Sequence, residues 1–271
     1  MSAPLPELPA IRLACCTART AAVFRAASWR SRGESVLPSL LFSYAYEKHW
    51  LPILPELTIR NFVLDSGAFT ANSSGKPIDI QVFINTVQRY RDNGVLPVEI
   101  FSLDVIGDWR GTMQNTELLW QAGIEAIPTF HYGEPEDVLI GYAKDYPKIA
   151  LGGAVGVPRK EKERWVRQCF ARVWPKPMHG FGFGMWALEQ FPFHTIDCSD
   201  WEGNAARFGN WFRYGGRNLG LGGKDLLDNL AVEAQVWLDA EVKAKQRWAQ
   251  VFRGLGWTRE GVYTQSQEAA S

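Results

Sequence analysis

The sequence predicts an α/β protein folded as a single-domain (β/α)8 TIM-type barrel, and three observations carry that prediction. Short apolar runs alternate with longer segments whose apolar residues recur at helical spacing. There are eight such runs, the strand number of that barrel. The chain has 271 residues and is 46% hydrophobic, enough to bury one large core.

Taken in order, strands are expected at Ile11 to Cys16, Leu40 to Tyr46, Phe62 to Asp65, Val98 to Asp104, Ala126 to His131, Ile149 to Val155, Met178 to Phe183 and Phe193 to Asp197. Near-continuous apolar character suits parallel strands covered on both faces. Helices are expected at Asp79 to Asn93, Thr112 to Ala122, Glu134 to Asp145 and Arg159 to Trp174. Asn93-Gly94, Ala122-Gly123 and Asp145-Tyr146-Pro147 stand where a helix should stop. Lys224 to Phe252 reads as one terminal helix flanking the barrel, with Leu226, Leu230, Ala234, Trp237, Val242 and Trp248 among its apolar positions. Tyr214 to Leu219 is a candidate further strand, and the small polar tail from Gln265 should fray.

Lys and Arg total 29, as do Asp and Glu, which excludes a uniformly basic nucleic-acid coat and a strongly acidic tail but leaves local patches open. Cys15, Cys16, Cys169 and Cys198 form no C-x-x-C group, so no metal site is expected, and the vicinal pair reads as small buried side chains. The first residues carry no charged segment ahead of an apolar one, and no run approaches the ~20 apolar residues of a spanning helix. A cytoplasmic protein without a membrane partner is the expectation.

In parallel α/β folds ligand chemistry gathers at the carboxyl ends of strands. Those ends here deliver Asp65 (followed by Ser66-Gly67-Ala68-Phe69), Asp104, His131, Gly152-Gly153 and Asp197. Each has an ordinary reading: a helix cap for an Asp, a turn for the glycines, a core position for the histidine. Three carboxylates directed to one pocket would repel one another and cost stability unless a reaction uses them. One carboxylate can attack an anomeric carbon while another works as acid and base. A third can accept from N1–H and the 2-amino group of guanine, with glycine amides donating to O6.

These residues resemble motifs of the tRNA-guanine transglycosylase superfamily. Asp65-Ser66-Gly67-Ala68-Phe69 is similar to its D-S-G-G-F segment and Ser102-Leu103-Asp104 to its base-reading aspartate strand. Leu151-Gly152-Gly153-Ala154-Val155-Gly156 is similar to its G-G-L-A-V-G loop, and Ile196-Asp197-Cys198 to the F-D-C that holds its nucleophile. The zinc-binding C-x-C-x-x-C insertion of the tRNA enzymes is missing after Asp197, His131 stands where the family has glutamine, and Ala68 replaces a glycine. The length, His179-Gly180-Phe181-Gly182 and Asp197-Cys198-Ser199-Asp200-Trp201 look more like the phage-type DNA 7-deazaguanine transglycosylases.

The resemblance implies an enzyme that exchanges guanine in DNA for a 7-deazaguanine such as 7-cyano-7-deazaguanine. Asp197 would be the nucleophile on C1′ and Asp65 the acid/base, with Asp200 the runner-up. Asp104, Gly152, Gly153 and His131 would read the base, Phe69 or Met185 would pack on its face, and Ser66 would support them. No cofactor is implied, the free 7-deazaguanine being a co-substrate. The DNA target must be flipped out or single-stranded, and its backbone needs cations. Arg159 and Lys160, in a basic stretch reaching Lys176, are candidates; so are Arg207, Arg213 and Arg217, interleaved with aromatic residues, and the basic N-terminal stretch Arg19 to Arg32. Three alternatives stand beside this: the same chemistry on tRNA, a non-catalytic nucleic-acid-binding barrel, and an unrelated barrel hydrolase or aldolase. The last lacks a lysine at a strand end and an H-x-H pair.

Overall fold

The computed structural model describes residues 9–15, 17–25, 37–203, 211–212, 217–218 and 226–254. These form two compact units. The first comprises the described parts of Ile11–Ile100 and Asp197–Glu241, the second those of Met1–Ala10, Phe101–Ile196 and Val242–Ser271.

Seven parallel strands carry the fold: β1 (Ala10–Cys15), β2 (Ser39–Ser43), β3 (Asn61–Asp65), β4 (Thr129–His131), β5 (Ile149–Gly152), β6 (Met178–Gly180) and β7 (Thr195–Cys198), in the order β3-β2-β1-β7-β6-β5-β4. Their interior residues, among them Leu13, Leu40, Val63, Ala150, Leu151 and Ile196, are buried, as the apolar runs require. The registers Leu41↔Val63 and Ser43↔Asp65 set the end of β3 beside the end of β2, and His131↔Gly152 does the same for β4 and β5.

One expected strand is corrected. Val98 to Asp104 forms no named strand; it makes two isolated parallel bridges, Leu64↔Ile100 in the first unit and Phe101↔Ile127 in the second. Its early amide (Val98 N) donates to Phe62 and its later one (Ser102 N) to Ile127, so neither neighbour shares a ladder longer than one bridge. Three expected strands are shortened at their ends for visible reasons. After Ser43 the chain coils into a 3₁₀ turn over Tyr44–Tyr46, and Gly153 (φ 69°) and Gly182 (φ 64°) turn it away beyond β5 and β6. Pro128, which has no N–H to donate, precedes β4 and trims its start.

The helices form close to where the spacing places them, although Val242, one of the apolar positions of the terminal helix, is exposed. They are α1 (Ala18–Ala22), α2 (Glu47–Trp50), α3 (Ala68–Ser74), α4 (Ile80–Asp92), α5 (Trp109–Gln121), α6 (Glu136–Asp145), α7 (Arg159–Val173), α8 (Met185–Gln190) and α9 (Leu226–Gly254). In α4, Asp79 caps the start by accepting from Val82 N, Phe83, Ile84, Val87 and Tyr90 are buried, and Gly94 (φ 73°) follows the end. α5 starts three residues earlier than expected because Asp108, accepting from Arg110 N, is its cap. α9 is fastened in the first unit by Glu241, which accepts from Ile11 N (2.7 Å) and Arg60 Nη2 (3.0 Å). In the second unit its Trp248 Nε1 donates to Leu188 O (2.7 Å). The candidate strand at Tyr214 to Leu219 is represented by Arg217–Asn218 (β9), paired antiparallel with Trp211–Phe212 (β8). Cys16 and the tail from Gln265 lie outside the described residues. Among the described residues no helix is long and apolar enough to cross a membrane.

Candidate active site

The second unit brings Asp104, His131 and Gly152-Gly153 together. Asp104 is held by the backbone on either side of it: Asn115 Nδ2 of α5 donates to Leu103 O (2.8 Å), and Val105 N donates to Thr112 Oγ1 (2.9 Å). Ser102 Oγ and Thr116 Oγ1 share a further buried hydrogen bond of 2.6 Å. The polar inner face of α5 thus fixes the segment that carries the carboxylate. This role of Thr112, Asn115 and Thr116 was not foreseen, although three small polar residues on one face of an otherwise apolar pattern are a legible signal.

His131 closes β4, with Nε2 3.3 Å from Asp104 Oδ2 and Nδ1 3.0 Å from Glu134 Oε1. Glu134 Oε2 also accepts from the His131 backbone N–H at 2.9 Å. The sequence suggested Glu134 as the first residue of a helix; instead α6 begins at Glu136 behind Pro135, and Glu134 turns back onto the ring. Burial alone would lower the His131 pKa, but its hydrogen bonds to Asp104 and Glu134, and their charges, outweigh that and raise it to about 10. Burial raises the Asp104 pKa, opposed by His131 and the nearby Thr129 hydroxyl. Asp104 Oδ1 is buried without a hydrogen-bond partner in good geometry, and the Thr129 hydroxyl that acts on the same carboxylate is likewise unmatched.

The two glycines have a packing reason of their own. A Cβ on Gly152 would stand 2.8 Å from Thr129 Cγ2, and one on Gly153 would stand 2.9 Å from His131 Cβ. Thr129 excludes a side chain at Gly152, and His131 excludes one at Gly153 while it keeps its place. Gly152 is buried and Gly153 exposed. Met185 is half-buried at the first position of α8.

The first unit holds the other two carboxylates. Asp65 ends β3 half-buried, its Oδ2 accepting from Gly67 N at 3.1 Å. Gly67 (φ 79°) is required because a Cβ there would lie 2.8 Å from Ala45 N. Ser66 is buried, and Phe69 is 63% exposed on α3. Asp197 lies within β7 and is 8% exposed. Beyond it Trp201 is fully buried, 5.6 Å from the Phe24 ring, and donates to Ala14 O (3.0 Å), which anchors the turn after the carboxylate. Asp200 is exposed. Cys198 is buried and its thiol pKa is raised by that burial, as for a structural cysteine.

Of the cationic candidates, Arg159 and Lys160 are exposed at the start of α7. Arg159 pairs with Glu163 (2.7 Å) and its guanidinium lies 5.5 Å from the Trp186 ring centre. Arg207, Arg213, Arg30 and Arg32 lie outside the described residues, and Arg217 is placed only as part of β9. Among the described residues no group of three His, Cys, Asp or Glu side chains is arranged to hold a metal.

No family profile matches this sequence, and no curated protein matches it. Solved structures do. A candidate fructose-1,6-biphosphate aldolase from Coccidioides immitis superposes with a TM-score of 0.54 at 10% identity, over 88% of this chain and 91% of that one. A fructose-bisphosphate aldolase from Campylobacter jejuni reaches a TM-score of only 0.28 at 12% identity, over 93% of this chain and 91% of that one, and carries no argument. The first likeness is one of fold: the chain has a TIM-barrel-like α/β architecture.

Proposed function

We propose that this protein is an enzyme of DNA base exchange, built on a (β/α)8-type barrel, that replaces guanine by a 7-deazaguanine. The observation that carries the reading is the immobilised Asp104 carboxylate, whose buried Oδ1 is an acceptor without a matched donor. It stands beside His131, against which the two glycines pack. An acceptor so placed suits the N1–H and 2-amino edge of guanine. The motif order from Asp65 to Asp197 supplies the rest.

In the proposed reaction an Asp197 oxygen attacks C1′ of the target deoxynucleotide. The C1′–N9 bond breaks, its electron pair passes to the base, and Asp65 gives that base a proton, so guanine leaves neutral. The incoming 7-deazaguanine then loses its N9 proton to Asp65, attacks C1′ and displaces the Asp197 carboxylate. Bond count and charge are restored without a cofactor. Arg159 and Lys160 are proposed to meet the phosphate backbone.

The test is to incubate the protein separately with guanine-containing DNA and with tRNA, each with 7-cyano-7-deazaguanine, and to identify the digested nucleosides by mass. The expected product is a modified deoxynucleoside that Asp197→Asn abolishes and Asp200→Asn retains. Modified ribonucleoside alone moves the polymer to tRNA; no product on either overturns the reading.

A further inference from the structure

Glu134 is a half-buried carboxylate for which the proposed reaction has no use. Its side chain and those of His131 and Asp104 are 12%, 12% and 13% exposed. Its two oxygens take two different hydrogens of one residue, the backbone N–H of His131 at 2.9 Å and the ring Nδ1 at 3.0 Å, while its own N–H returns to His131 O at 3.1 Å. That tight turn leaves the ring no freedom to rotate away, and the glycines opposite close the other side.

A neutral imidazole has one N–H and one lone pair. Between two carboxylates it could donate to only one and would present a lone pair to the other across about 3 Å, a repulsive contact. The ring meets both carboxylates favourably only with a hydrogen on each nitrogen. The ring's own partners are Asp104 and Glu134; the Thr129 hydroxyl acts on Asp104, and Tyr142 of α6, whose phenol burial and these same carboxylates hold in the neutral form, senses both carboxylates. Two negative neighbours and no positive one among them favour the doubly protonated ring, as the direction of the His131 shift agrees.

We propose that Glu134 is a positioning residue: it locks His131 as a donor to both carboxylates, so that Asp104 is held as an anion with Oδ2 occupied and Oδ1 turned to the N–H edge of the base. His131 would then not touch the base, and the site would select a ligand with a donor edge over one that presents an acceptor there. This proposal rests on the base-exchange reading for its ligand, but not for the state of the ring.

Two measurements separate the two. The first follows the ring nitrogens of His131 by long-range ¹⁵N–¹H correlation in the protein alone, its signal assigned by its loss in His131→Asn. At pH 8 the wild type should give the signature of an imidazolium, and Glu134→Gln that of a neutral ring titrating near pH 7. Glu134→Asp, which keeps the charge, should retain the imidazolium. The second is calorimetric binding of 7-cyano-7-deazaguanine. If the freed ring titrates near pH 7, about one molecule in ten is protonated at pH 8, so Glu134→Gln should bind about tenfold more weakly than wild type at pH 8. At pH 6 the two should bind alike, a recovery that general damage to the fold would not produce. A neutral His131 in the wild type at pH 8, an imidazolium that survives Glu134→Gln, or a binding loss equal at both pH values would overturn the proposal. An imidazolium that depends on Glu134 in a protein that binds no base would support the relay and overturn the base-exchange reading.

Discussion

Replacing Gly153 by alanine tests whether the diglycine loop is there to accommodate His131. Gly153 sits at φ 69°, and its new Cβ would meet His131 Cβ at 2.9 Å, His131 Cδ2 at 3.2 Å and Tyr132 N at 3.2 Å. Left-handed backbone costs a residue with a Cβ roughly 1–2 kcal/mol. Overlap with a ring pinned between two carboxylates adds about 1–3 kcal/mol. Gly156 supplies the internal control, since its φ is 80° and nothing lies within 4 Å of the added Cβ. Gly156→Ala should therefore lose only the backbone share, about 1–2 kcal/mol, and Gly153→Ala about 2–5 kcal/mol. Urea unfolding followed by tryptophan fluorescence, with both variants at one pH, measures the difference. Equal losses would show that His131 yields at no cost, and the packing explanation of the glycines would fall.

Two further outcomes follow from charge. The His131 pKa is raised from 6.5 to about 10 in the fold, so the stabilisation is fully present below pH 6.5 and is lost as pH rises toward 10. Urea midpoints should fall across that window by an amount on the order of a few kcal/mol, with a slope that His131→Asn removes; an unchanged slope would contradict the assignment. Glu241→Gln keeps shape but removes the charge opposite Arg60, whose other near neighbour Arg12 is itself buried and cationic. With Arg60 18% exposed and Glu241 5% exposed, the loss should be about 2–4 kcal/mol in chemical denaturation, and a loss below about 0.5 kcal/mol would mark the pair as solvent-screened.

Regular elements were legible where local chemistry and tertiary packing agree. Asp79 and Asn93-Gly94 bracket α4 as written in the sequence, and the predominantly apolar runs of β1, β3 and β7 are buried along most of their length. The segment from Val98 to Asp104 departs from the expected strand because a run of apolar residues does not reveal how its amides are shared between two neighbours. Strand-end residues could be named from order alone, and Asp104, His131 and the diglycine do meet. Glu134 was not found, because the pattern assigns it to a helix and only Pro135 and the turn at Gly133 (φ 92°) return it to His131. The supports on α5 escaped for a related reason: threonine and asparagine on a helix read as solvent-facing until the strand end they hold is in place.

β1 has a consequence for how the chain is made. Its neighbours in the sheet are β2, soon after it in the chain, and β7, far later in the chain. Ala14 O waits for Trp201, 187 residues on, and Ile11 N waits for Glu241, 230 residues on. During synthesis β1 therefore emerges well before the residues that complete it, with one edge open to foreign strands until they arrive. Closure of so long a loop is entropically slow rather than prohibitively costly. The hazard in producing this protein lies in the interval before Trp201 arrives, and slow chilled expression or a chaperone that shields β1 acts on that interval.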